Sequence, residues 1–109
     1  MRRISQRRKQ ELALLHKGQA KVILRDRGVC IRCLQANKRV RAWDIAHIIP
    51  RGRSGSKTKH IVHQEKNLIC LCRPCHKATE TFEGRVELLT LLHKLHGYDY
   101  SGPPWDEYV

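Results

Sequence analysis

Two Cys-x-x-Cys pairs, two short β-forming runs and helical periodicity on either side of them predict a single α+β domain closed by a structural metal. A chain of 109 residues is within the usual length of one domain, and a second core would be too small to stand alone. Hydrophobic residues make up 40% and charged residues 29%, so burial alone is a weak source of order and a staple is expected.

In chain order, residues 1–10 (MRRISQRRKQ) hold five basic residues and no acid, which predicts a basic arm that orders on contact with a polyanion. From about Gln6 to Arg27, Leu12, Leu15, Ala20, Ile23 and Leu24 recur at helical spacing, and Gly28 stands where such a helix would stop. Gly18 is a potential weak point in it. Cys30-Ile31-Arg32-Cys33 follows, with a polar turn around Gln35 to Arg39 that would form the tip of a knuckle. The run VRAWDIAHII ends at Pro50 and predicts a strand over 42–49. Residues 50–59 (PRGRSGSKTK) read as a flexible basic loop. A second strand is predicted over 67–71, leading into Cys72-Arg73-Pro74-Cys75-His76 and a short helix. A longer helix over 84–95 carries Val86, Leu89, Leu92 and Leu95 on one face and stops at Gly97. The acidic, aromatic tail over 97–109 is expected to be extended, and either packed or partner-binding.

Charge is unevenly placed: 20 of the 22 Lys and Arg residues but only four of the ten acids lie within residues 1–79. A strongly basic surface suits a phosphate backbone, where each neutralised phosphate releases counterions. A solvated face that only aids solubility is the bland alternative. Apolar runs fall far short of the roughly 20 residues a membrane span needs, and no signal or lipidation motif is visible, so no membrane association is expected.

Five cysteines without a secretion signal argue for a reducing, cytoplasmic setting and against a disulfide framework. Each Cys-x-x-Cys turn presents two thiolates, and two turns close a tetrahedral shell. Cys30, Cys33, Cys72 and Cys75 are therefore the predicted ligands of a structural Zn2+, with no position left open for substrate. Cys70, on the second strand, is expected in the core; His76 could replace one cysteine as a ligand.

The succession of Cys-x-x-Cys, AHIIP at 46–50, a glycine-containing loop and KNLICLCRPCHKA at 66–78 resembles the HNH endonuclease family, small members of which are common in phages. The likeness covers about residues 28–82, and its specificity lies in His, Asn and His occurring in order, interleaved with both cysteine pairs. It implies a ββα-metal core, a β-hairpin followed by a helix that grips one divalent catalytic ion, usually Mg2+ or Mn2+. It implies that His47 is the general base that takes a proton from water, a task suited to a neutral imidazole. Asn67 would hydrogen-bond across the ββα loop and orient the His47 side of the site. His76 would help hold the ion that neutralises the scissile phosphate.

Many family members have Asp immediately before the first His, where this chain has Ala46. Asp44 is the nearest carboxylate and points to the same face of a strand, but reaches the ion only with local bending; otherwise it is a surface group. A site with few carboxylates favours Mn2+, Ni2+ or another nitrogen-tolerant ion. His60 and His63, in the longer insertion between His47 and Asn67, read as loop or strand-edge residues or as extra ligands. Glu80 reads as a solvent-exposed group or a carboxylate facing the same ion. Trp43 and Trp105 read as packing anchors, with base stacking open to Trp105.

The function expected is cleavage of phosphodiester bonds in DNA, with Arg51, Arg53, Lys57, Lys59 and the N-terminal arginines tracking phosphates without reading sequence. A zinc-ribbon module that binds nucleic acid without cutting it is the alternative. A third reading is a nuclease subunit of a packaging machine such as a phage terminase complex, docked through the tail from Tyr98 to Tyr108. Oligomeric state and cut position leave no mark in the sequence.

Overall fold

The structure is a computed structural model that describes residues 5–50 and 59–108, with backbone alone at positions 59 and 60. Helix α1 runs Gln6–Asp26, capped by Ser5, whose hydroxyl accepts from the Arg8 N–H at 3.1 Å. It stops where Arg27 and Gly28 turn left-handed at φ 56° and 71°. The helix thus takes in Gln6–Gln10 of the basic arm, while Met1–Ile4 lie outside the described residues.

The buried stripe of α1 is Leu15, Gly18, Val22 and Asp26. Ile23 and Leu24, which periodicity assigns to the core, are 49% and 80% exposed. A count of apolar side chains misses this stripe because two of its members are a glycine and an acid. Gly18 is a point of close approach: a Cβ there would collide with the His63 carbonyl oxygen. The expected weak point is therefore where the helix meets the rest of the molecule most tightly.

After the short helix α2 (Ile31–Gln35), strand β1 (Asp44–His47) pairs antiparallel with β2 (Leu68–Leu71), placing Asp44 opposite Leu71 and His47 opposite Leu68. Both strands are shorter than the sequence suggests: at one end Ala42 N–H turns to Gly28 O at 2.9 Å, and at the other Ile48 N–H makes a last bond in the hairpin register, to Asn67 O at 2.9 Å. Helix α3 (Lys59–Val62) and a 3-10 turn at Glu65–Asn67 stand before β2, where a loop was expected.

Strand alternation gives the hairpin two faces. Ala46, Ile69 and Leu71 face a core built with Leu88, Leu89 and Leu92 of helix α5 (Phe82–His96). Ile45, Leu68 and Cys70 face Val22 of α1.

The outer edge of β2 is covered by the end of α1. Asp26 Oδ2 accepts from Cys70 N–H at 3.0 Å, and Arg25 Nη2 donates to Leu68 O at 2.7 Å. The two side chains are themselves bound twice, at 2.7 and 2.9 Å. The pair satisfies an edge that would otherwise leave buried polar groups open. Asp26→Ala strips the counterion from a buried guanidinium and should cost about 3–5 kcal/mol, read as a fall in the urea midpoint.

Helix α5 starts at a Thr81 cap, Oγ accepting from Gly84 N–H at 3.0 Å, and ends at Gly97. The tail then turns back over the core: Tyr100, Trp105 and Tyr108 are buried, and the Tyr100 hydroxyl donates to Lys66 O at 2.6 Å. Of the two expectations for the tail, packing holds. Burial of Trp105 removes base stacking as its role. Trp43 is the reverse case, 66% exposed with the Arg41 guanidinium 5.2 Å from its ring centroid.

Candidate metal centre and active site

The ligand atoms of Cys30, Cys33, Cys72 and Cys75 all lie within 4.8 Å of one another. Cys33 Sγ stands 3.7 Å from Cys72 Sγ and 3.6 Å from Cys75 Sγ. Four sulfurs bound tetrahedrally at about 2.3 Å are about 3.8 Å apart, so the thiols are positioned for a metal ion and compatible with a structural zinc. Local structure explains the convergence. Cys30 caps α2 and Cys72 caps helix α4 (Arg73–Ala78), so each pair straddles the first turn of a helix. Arg32 adds a cation, its Nη1 3.7 Å from Cys75 Sγ, and is held in turn by Glu87 at 2.6 Å. Cys70 stands apart, buried against Val22 O, and burial pushes its thiol up to about 12. Among the described residues, the four cysteines are the one converging group of three or more His, Cys, Asp or Glu ligands. His76 is not part of it.

His76, half-buried on α4, is turned instead toward β1. Its Nδ1 lies 3.1 Å from Asp44 Oδ2, and its Nε2 lies 3.8 Å from Glu80 Oε1. Asp44 shares the face of Ala46, whose methyl is buried in the core. The position before His47 thus leaves no polar group at the site, and Asp44 supplies the carboxylate next to His76.

Asn67 is fully buried and clamps the chain where it leaves β1. Its Oδ1 accepts from Ile49 N–H at 3.0 Å, while Nδ2 donates to Ile49 O at 3.1 Å and to Val62 O at 2.9 Å. The amide therefore ties the segment just past His47 to α3. Trp105 Nε1 approaches the same Oδ1 at 3.4 Å, so the tail closes over the clamp. Trp105→Ala should cost about 3–5 kcal/mol by opening this cover, measured as a lower thermal midpoint.

His47 projects from the other face of β1, where its Nε2 meets His63 Nδ1 at 3.2 Å. His63 is buried and has Glu11 of α1 on its second nitrogen at 3.4 Å. His63 does lie in the turn between α3 and the 3-10 turn, as a loop reading expects, but it is turned inward and buried in contact with the predicted base. Sequence reasoning missed Glu11 as well. Its signal was there, since Glu11 is the only acid before Asp26 in a strongly basic stretch. Asp44 and His47 lie on opposite faces, about 10 Å apart along the strand.

Arg51, Arg53 and Lys57 lie outside the described residues. Lys59 opens α3 by its backbone, and the side chains of Lys59 and His60 are likewise outside.

A four-thiol cluster compatible with a zinc site, joined to a two-stranded hairpin and the helix after it, defines a small ββα protein. Residues 30–82 match the model of the HNH endonuclease family, and this segment is an HNH domain. No curated protein and no solved structure matches the chain. The match includes His47, Asn67 and His76 and stops short of Glu11 and Trp105.

Proposed function

We propose that the protein is a metal-dependent endonuclease that hydrolyses phosphodiester bonds in DNA, with His47 as the base. The observation that carries the reading is the clamp of Asn67 on both polar groups of Ile49, two residues past His47, within a segment that matches the HNH family. Such a clamp holds the exit of β1, and with it the direction of the His47 imidazole, in one arrangement.

His76 and Asp44 are the residues that would hold the catalytic ion. Their donor atoms are 3.1 Å apart, and two ligands of one ion at about 2.1 Å are separated by roughly 2.9–3.4 Å. When bound, a divalent ion neutralises the scissile phosphate and the charge that grows on the leaving oxygen. With one imidazole and one carboxylate, the pair suits Mn2+ or Ni2+ better than Mg2+. His47 works from the other side of the phosphate. A base stands about 3 Å from its water and that water roughly 3–3.5 Å from phosphorus, so separation of His47 from the Asp44–His76 pair fits an attack in line with the leaving group. Arg51, Arg53, Lys57 and Lys59 carry charge for the flanking phosphates, contacts that position a duplex without reading it.

Incubation of supercoiled plasmid with the zinc-loaded protein tests the reading, with Mg2+, Mn2+ or Ni2+ added in turn and EDTA as the blank. Nicking that requires an added ion supports it. Binding of the plasmid at equal strength with and without ions, and no cut strand, would replace it with the zinc-ribbon binder.

A further inference from the structure

The contacts of His47 lead away from the HNH segment into α1. His47 Nε2 and His63 Nδ1 are 3.2 Å apart with their rings edge to face at 80°. His63 Nε2 is 3.4 Å from Glu11 Oε1, and the His63 side chain is 1% exposed against 16% for Glu11. Three separate elements therefore place a carboxylate, an imidazole and a second imidazole in a row. Helix α1 fixes the row at two points. Glu11 and Gly18 are seven residues apart and so lie on one helical face. Glu11 meets the His63 ring, while the missing side chain of Gly18 lets the His63 carbonyl come up against the helix.

The row has a direction. A carboxylate accepts and cannot donate, so the hydrogen bond to Glu11 puts the His63 proton on Nε2. In the neutral ring His63 Nδ1 is then an acceptor, and the contact with His47 is made by a His47 that donates from Nε2. That leaves the lone pair of the neutral His47 ring on Nδ1. We propose that His63 and Glu11 are positioning residues for the His47 base: they hold it as the Nε2–H tautomer with Nδ1 as the proton-accepting atom. The inference rests on the nuclease reading for its catalytic meaning.

In the step itself a water O–H bond breaks and its proton goes to His47 Nδ1. The oxygen forms the new bond to phosphorus, and the bond from phosphorus to the leaving oxygen breaks with its electron pair. His47 becomes an imidazolium that still donates from Nε2 to His63, and no proton passes further along the row. Glu11 lowers the energy of that cation at a distance, in the way that the buried acid of a Ser-His-Asp triad serves its histidine. Arg8 also approaches the same Glu11 oxygen at 3.5 Å and is itself half exposed, so solvent screens that pair.

The test uses the full-length, zinc-loaded protein and two readouts. In plasmid nicking, Glu11→Gln should lower kcat about 10–100-fold while KM for DNA stays within about twofold, and Glu11→Asp should restore part of the loss. In long-range 15N–1H spectra of the imidazole rings, recorded without DNA or added ion, His47 and His63 should both carry their proton on Nε2. Glu11→Gln, whose amide can donate or accept, should mix the His63 tautomers. An Nδ1–H form of His47, or Glu11→Gln with unchanged kcat and unchanged tautomers, overturns the inference and leaves the nuclease reading standing. Wild type that fails to cut with any of the added ions removes the nuclease reading, and the ring spectra still decide the row.

Discussion

Cys72→Ser is expected to release the structural metal and unfold the centre of the molecule. A serine hydroxyl does not deprotonate near neutral pH, so the substitution leaves three thiolates where a closed tetrahedral site needs four. A metal held by the four thiols would join α2 to α4, helices more than thirty residues apart in the chain, and Cys72 is also the cap through which β2 passes into α4. Binding of this kind is worth on the order of 10 kcal/mol to folding, about the entire stability of a domain this size. Metal content by native mass spectrometry should fall from one ion per chain to none, and Trp105 fluorescence should move to that of an exposed indole. Cys70→Ser is the matched comparison. Its sulfur sits against Val22 O, outside the four-thiol group, so the variant should keep its metal.

Asn67→Ala should have the second-largest effect, on stability and cleavage together. The side chain satisfies Ile49 N–H, Ile49 O and Val62 O in a site with no access to water. Losing it leaves three buried backbone groups open at about 1–3 kcal/mol each, so a total of about 3–6 kcal/mol is expected after partial relaxation. The segment that leaves β1 would lose its tie to α3, and His47 would sample several directions. Cleavage should therefore fall even at temperatures where the variant remains folded. Asn67→Asp tests the same clamp differently: it keeps an acceptor for Ile49 N–H but turns an oxygen toward the carbonyls of Ile49 and Val62, and should be no better than alanine. Urea unfolding gives the first quantity, and single-turnover cleavage at low temperature gives the second.

What could be read from the sequence is what is encoded locally. Metal spacing is local, so the four cysteines that converge at metal-binding distance were legible, and so was the exclusion of Cys70 from that group. Helix stops marked by Gly28 and Gly97 were legible for the same reason. The buried stripe of α1 was not, because Gly18 and Asp26 belong to it through contacts with His63 and Cys70 that periodicity does not register. The burial of His63 was not legible, although its place in a turn was, because its partners, Glu11 and His47, are 52 and 16 residues away. Trp43 and Trp105 show the limit of size as a guide: only the second finds a pocket, made by Asn67 and the ring of Tyr100. The face on which Asp44 lies was legible from strand alternation, whereas its contact with His76 was expected to need local bending and is made from a regular strand.

The central claim, that His47 is the base of a metal-dependent nuclease, is tested most directly by single-turnover cleavage of a labelled duplex in saturating Mn2+. Wild type is compared with a His47→Ala variant shown to retain one zinc per chain. A loss of about 100-fold or more in the cleavage rate, with duplex affinity unchanged, is the predicted result. Equal rates for the two proteins would contradict the claim and move the base elsewhere in the site.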